Sequence, residues 1–166
     1  MIHRSRRFEF LWVVTALLAV GGVAAAVAHF MTPPYNPGFA EHPVITRLHI
    51  VLGAAYLSAA PFQFVRAIRA KHPRYHRWAG RILVIVGCVV GLTALFLGIV
   101  IPYSGHPERV VIAGFGCYYL FALVAGVTRI RAGRVARHRE WMLRAFAVGL
   151  LYRHHAVDLR ASSDPH

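Results

Sequence analysis

Residues 66–81 read RAIRAKHPRYHRWAGR: five arginines, one lysine and two histidines without an acid. An apolar run long enough to cross a bilayer lies on each side of them. That alternation constrains the fold more than any other feature of the chain. Inside hydrocarbon every backbone group must be hydrogen-bonded by the protein itself, so only helices or a closed barrel can cross. An apolar run of about 20 residues has the length of a crossing helix. A second basic stretch, RIRAGRVARHREWMLR, fills residues 129–144. The two stretches share a local order. His76-Arg77-Trp78 leads to Arg81, and His138-Arg139-Glu140-Trp141 leads to Arg144, each opening an apolar segment.

Composition points the same way. Apolar residues make up 57% of the 166-residue chain, against about 45–50% in soluble domains. The formal net charge of +13, from 19 Lys+Arg and 6 Asp+Glu, would suggest nucleic acid in a soluble protein. Here the basic residues sit between apolar runs, which favours a membrane and not a nucleic acid. Cys88 and Cys117 lie inside apolar runs, with no metal-ligand spacing and no disulfide framework, and read as small core residues. No Ser-His-Asp set, carboxylate pair, metalloprotease motif or glycine-rich phosphate loop is present. Six acids leave general acid–base chemistry few candidates, so the chain leans away from being an enzyme, and no metal site is expected.

In order, the apolar runs predict helices at about 10–30, 45–65, 78–101 and 110–128. The first follows a charged start, MIHRSRRFEF, but is too long for the core of a signal peptide. A loop with four prolines, residues 31–43, separates it from the second, because proline cannot continue a helix. Pro61 in the second helix leaves the carbonyl of Leu57 without its usual partner, and Ser58 or a neighbouring helix is expected to repair this. A fifth apolar segment, about 141–152, is too short to span. The expected fold is therefore all-α: a multipass helical membrane bundle with four transmembrane helices plus a shortened fifth. It forms one domain over 1–152, followed by a polar C-terminal tail at 153–166.

The third helix carries Gly80, Gly87, Gly91 and Gly98. At about 100° per residue, offsets of 7, 11 and 18 return close to the same face. The spacing predicts a groove for a partner helix, with Gly87 and Gly91 as a small-xxx-small pair. This helix is expected to be the most closely packed.

The loops after the second and fourth helices are rich in arginine, whereas the intervening loops and helix ends carry only Arg47 and Arg109. By the positive-inside rule, the N-terminus and both basic stretches face the cytoplasm of a bacterial inner membrane.

Two candidate sites follow. At the basic face, His76, Arg77, Trp78, Arg81, His138, Arg139, Trp141 and Arg144 sit at or near helix starts, where unpaired N–H groups favour anions and guanidinium forks match phosphate or carboxylate. The expected partner is an anionic lipid headgroup or another acidic group; the plainer reading is a positive-inside anchor with Trp78 and Trp141 as interfacial residues. If the two motif-bearing helices are neighbours, the four arginines and two tryptophans converge on one pocket. The second candidate is His49, the one histidine well inside a predicted span, with Gly53 a turn deeper on the same face. A haem b or quinone site would use such a pair. His29, His42 and His106 lie toward the same side as possible partners, and the plainer reading is a histidine hydrogen-bonded to a neighbouring helix. A small transporter, or an accessory subunit of one, is a third function class, opposed by the lack of ionisable residues inside the third and fourth helices. A homo-oligomer or a second membrane protein is a possible partner.

Three ordered segments carry a resemblance to a known family: RLHIVLGAAYLSAAPFQFVRAIR at 47–69, HRWAGRILV at 76–84 and HREWMLRAFAV at 138–148. Together they resemble the bacterial predicted membrane proteins called the domain of unknown function 2306 family, with similarity from about residue 46 to residue 148. The resemblance implies a multipass α-helical protein and no particular activity. It also implies a full hydrophobic helix after the second motif. Here the apolar run fails after Leu151, so a truncated or frame-shifted end is expected.

Overall fold

The structure, a computed structural model, describes residues 20, 21, 23, 24, 27, 28, 37–102 and 105–161, with side chains described as far as residue 150. Residues 20–28 are helical where described. The first expected span, about 10–30, otherwise lies outside the described residues. From Pro37 onward the elements are α1 (Pro37–Glu41), α2 (Pro43–Ala59), a 3-10 segment (Ala60–Phe64), α3 (Arg66–Lys71), α4 (Pro73–Val100), α5 (His106–Arg131) and α6 (Val135–Ala161). Among the described residues the chain is all-helical.

Proline sets several of these boundaries. Pro43 and Pro73 stand at the first position of α2 and α4, where the missing N–H is no loss and the fixed φ suits the helix. Pro61 has the opposite effect. The α-helical ladder gives way to the tighter 3-10 form at Ala60, as expected where one amide donor is missing. The Ser58 hydroxyl donates to the carbonyl of Ala54 at 2.8 Å, one turn back, and not to Leu57 as the sequence suggested. The extended backbone of Val65, φ −68 and ψ 118, then separates the 3-10 segment from α3.

Pro43–Phe64, Pro73–Val100 and His106–Arg131 are long and apolar enough to cross a membrane among the described residues. With 28 residues, α4 is about 42 Å long. That exceeds the roughly 30 Å hydrocarbon core, so its first turns, with His76 and Arg77, reach beyond it. The packing order is α2 on α4, α4 on α5, and α5 on α6. Gly87, Gly91 and Gly98 of α4 are buried and lie against α5, meeting Tyr119, Leu120 and Ile112. Gly80, two turns before Gly87, meets a different neighbour, the Oε1 of Gln63 on the 3-10 segment. Tyr56, Ala60, Tyr119, Ala122, Leu123, Ala145 and Phe146 form the buried cluster. Ile85, Leu92, Val110, Phe121 and Val124 are exposed on the outside, as the lipid-facing surface of a bundle requires. Cys88 is partly buried and Cys117 is exposed, so the second thiol is not a core residue.

The last helix differs most from expectation. It begins at Val135, before Trp141, and continues through Arg153-His154-His155 to Ala161. Arginine, alanine and leucine are good helix formers, and no glycine or proline interrupts residues 150–161. The backbone therefore continues as helix although the apolar pattern stops.

Candidate functional site

Antiparallel packing of α4, α5 and α6 brings both basic stretches to one end of the bundle. The turn from α5 to α6 closes tightly there. Gly133 has φ +72, its N–H bonds the carbonyl of Ile130 at 3.0 Å, and the N–H of Arg134 bonds that of Arg129 at 2.9 Å. This is the paired hydrogen-bond pattern of a Schellman cap. One turn into α6, Nδ1 of His138 lies 2.8 Å from the carbonyl oxygen of Gly126 on α5. A carbonyl can only accept, so Nδ1 carries the proton and ties the two helices.

At this end His76 of α4 faces Arg69 of α3, Arg77 of its own helix and His138 of α6. Its Nδ1 is buried without a hydrogen-bond partner among the described residues. Arg69 donates to the carbonyl of Phe64 at 3.1 Å and, at 3.4 Å, to that of Gln63, capping the 3-10 segment. Burial first, then the nearby Arg139 and Arg66, hold its guanidinium below the usual arginine range, the direction that crowded like charges impose. Glu140 is 4.0 Å from Arg137, an exposed pair on the same helix that is worth little. Arg69, His76, His138 and Arg139 thus gather from three helices.

Sequence reasoning had placed His76, His138 and Arg139 here and missed Arg69. The signal was Pro61, whose 3-10 segment and the extended Val65 after it end the span and set a short separate helix beside α4. Of the other expected members, Arg77 is exposed beside His76, and Arg81 is exposed. Trp78 is 68% exposed, so it does not line a pocket with Trp141. Trp141 instead packs edge-on against Phe121 with ring centroids 5.4 Å apart, and Arg144 covers it with its guanidinium 4.7 Å from the ring centre, a cation–π contact.

A second site lies toward the other end. A half-open cavity of about 270 Å³ lies between α2, α4, α5 and α6, with His49, Gly53, Tyr56 and Tyr119 in its lining. Nδ1 of His49 is 2.9 Å from the Thr93 hydroxyl and 3.2 Å from the carbonyl oxygen of Val90. The Thr93 hydroxyl donates to its own helix, at the carbonyls of Val89 and Val90, 2.8 and 3.0 Å away. With both neighbours acting as acceptors, the His49 proton resides on Nδ1. Nε2 is then a bare acceptor, with no partner among the described residues. The Tyr119 hydroxyl is buried and also unpartnered among them. The Tyr56 hydroxyl is its polar neighbour, close enough for a weak hydrogen bond although outside strict geometry, and the Tyr119 oxygen sits against Gly87, which is not part of the cavity lining. A Cβ on Gly53 would meet nothing within 4 Å, so that glycine opens onto free space.

His106 is the first residue of α5 and exposed, and it does not line the cavity. His42 packs on Phe96 instead, with centroids 5.6 Å apart, and His29 lies outside the described residues. His49 is the single histidine in the described lining. The donor set and the volume suit one ring better than a bis-histidine haem, since a cavity of about 150 Å³ takes one benzene. No cluster of three His, Cys, Asp or Glu side chains able to hold a metal ion exists among the described residues.

A family model described as Predicted membrane protein (DUF2306) matches residues 46–152 of the chain. No curated protein and no solved structure matches it.

Proposed function

The chain belongs to the DUF2306 family of predicted membrane proteins, and from that premise we propose that it is a non-enzymatic multipass module of the bacterial inner membrane that holds a phosphate-bearing lipid headgroup at its basic end. In this reading the N-terminus and both arginine-rich stretches are cytoplasmic, and four helices span. The observation that supports it is the group formed by Arg69, His76, His138 and Arg139, beside which no carboxylate is paired among the described residues. Cations gathered by three helices repel one another, and an anion converts that repulsion into attraction. Each juxtamembrane basic residue contributes on the order of 1 kcal/mol to binding an anionic lipid, and arginine adds a planar fork that lysine lacks.

The test is lipid retention after purification in mild detergent, read by native mass spectrometry, together with the rise in melting temperature on adding phosphatidylglycerol or cardiolipin. Arg139→Gln alters an exposed side chain and should reduce both readouts. Arg81→Lys with Arg144→Lys should leave them near the parent values, because those arginines lie outside the group. Equal retention and equal stabilisation in parent and Arg139→Gln would leave only a positive-inside anchor.

A further inference from the structure

We propose that the cavity between α2, α4, α5 and α6 is a binding site for a neutral, lipid-soluble molecule with a single hydroxyl group, which donates its proton to Nε2 of His49. The body of the molecule lies against the apolar walls, and its tail leaves through the open side of the cavity.

Three observations converge on it. The first is the polarity of one hydrogen-bonding atom. The Val90 carbonyl can only accept, and Thr93 directs its proton to Val89 and Val90, so the Nδ1–H of His49 is turned to α4. A histidine held through one ring nitrogen presents the other in a set tautomer. Nε2 is therefore an acceptor, and unlike Nδ1 of His76 it is not enclosed by protein. It needs a donor. An ether, an ester or an acyl chain has none, and a hydroxyl has one.

The second is that the lining makes no other polar demand. The Tyr56 and Tyr119 hydroxyls neighbour each other, and the Tyr119 oxygen lies against Gly87, outside the lining. The walls are built from residues such as Leu57, Ala94, Ile112, Phe115 and Val148. No Asp, Glu, Lys or Arg lines the cavity, so an ionised headgroup would stand uncompensated inside the span. A second hydroxyl would be buried without a partner.

The third is depth and room. His49 lies six residues after the start of α2, and Thr93 seven before the end of α4, about 10 Å inside either helix end. A neutral molecule dissolved in hydrocarbon reaches that depth, whereas a charged one does so at high cost. The absent side chain at Gly53 leaves open space on the α2 wall. The volume of about 270 Å³ is under twice the roughly 150 Å³ that holds benzene.

Full-length protein in nanodiscs is titrated with para-octylphenol and its methyl ether, and with farnesol and its methyl ether. Empty nanodiscs give the partition background, and dissociation constants are read by calorimetry. The phenol pair reports a ring-bearing ligand, and the farnesol pair an isoprenoid chain. In at least one pair the alcohol should bind roughly tenfold tighter, about 1.4 kcal/mol, because the ether covers Nε2 without supplying a proton. His49→Phe keeps a ring and removes the acceptor, so alcohol and ether should bind it alike. Gly53→Leu fills the open space and leaves the His49 hydrogen bonds in place. It should weaken both members of a pair roughly tenfold by a steric clash, with the melting temperature unchanged. That variant keeps the test decisive if His49→Phe, which also loses the tie to Thr93, fails to fold. No preference for alcohol over ether in either pair, a preference that survives His49→Phe, or full binding by Gly53→Leu would each overturn the assignment. Equal, weak binding of every compound would mean that ordinary acyl chains fill the space.

Discussion

A methyl group at Gly87 of α4 would fall 2.8 Å from the hydroxyl oxygen of Tyr119 on α5. The tyrosine that walls the cavity therefore owes its position to a side chain missing from the neighbouring helix. Gly87→Ala should force the ring or the helix to shift and destabilise the fold by about 1–3 kcal/mol, as overpacking does. Gly114→Ala is the control. Nothing lies within 4 Å of its added carbon, so it should be neutral or gain up to about 1 kcal/mol from helix propensity. Thermal unfolding of both variants in one detergent checks this. Equal melting temperatures would mean that the α4–α5 contact tolerates an extra carbon.

Gly133 closes the α5–α6 turn with φ +72. Gly133→Ala should lower stability by about 1–2 kcal/mol, because a Cβ crowds the following carbonyl in the left-handed region. Gly133→Asn should lose less, since asparagine tolerates that region. The order Gly, Asn, Ala in melting temperature is the readout, and a reversed order would contradict the geometry.

Helices, turns and the alignment of Gly87, Gly91 and Gly98 were legible in the sequence because each follows from a local rule: run length, proline placement, a rotation per residue. His49 and Gly53 stood out for the same reason, as residues that an apolar helix does not need. Their surroundings were hidden. Thr93 lies in the third apolar run, where a polar residue asks for a reason, but its partner is 44 positions away and no local rule points to it. Tyr56 and Tyr119 read as apolar residues in helical runs, and nothing in their spacing shows that they meet. Arg69 is one arginine among many in the sequence, and only the break at the 3-10 segment and Val65 sets it on a short helix near Arg139. The length of α6 was misread because an apolar pattern reports burial, while the helix there continues on propensity.

The proposed orientation predicts the result of reporter fusions. Fusions after His72 and after Arg134 should report the cytoplasm, and a fusion after Gly105 the opposite side, because the basic residues concentrate at the first two. A cytoplasmic signal at Gly105 would remove a crossing and sink the orientation together with the lipid reading.

The tie between His138 and Gly126 has a consequence for the time course of assembly. It joins positions 12 residues apart, whereas the tie from His49 to Thr93 joins positions 44 apart. Contacts between near positions lose less chain freedom on forming and form sooner. The α5–α6 hairpin should therefore be an early, self-sufficient intermediate, and docking of α2 a late event. A newly made chain would pass through a stage with only His138 and Arg139 of its basic group in place and no cavity. A chain stalled there would lack both the gathered cations and the cavity.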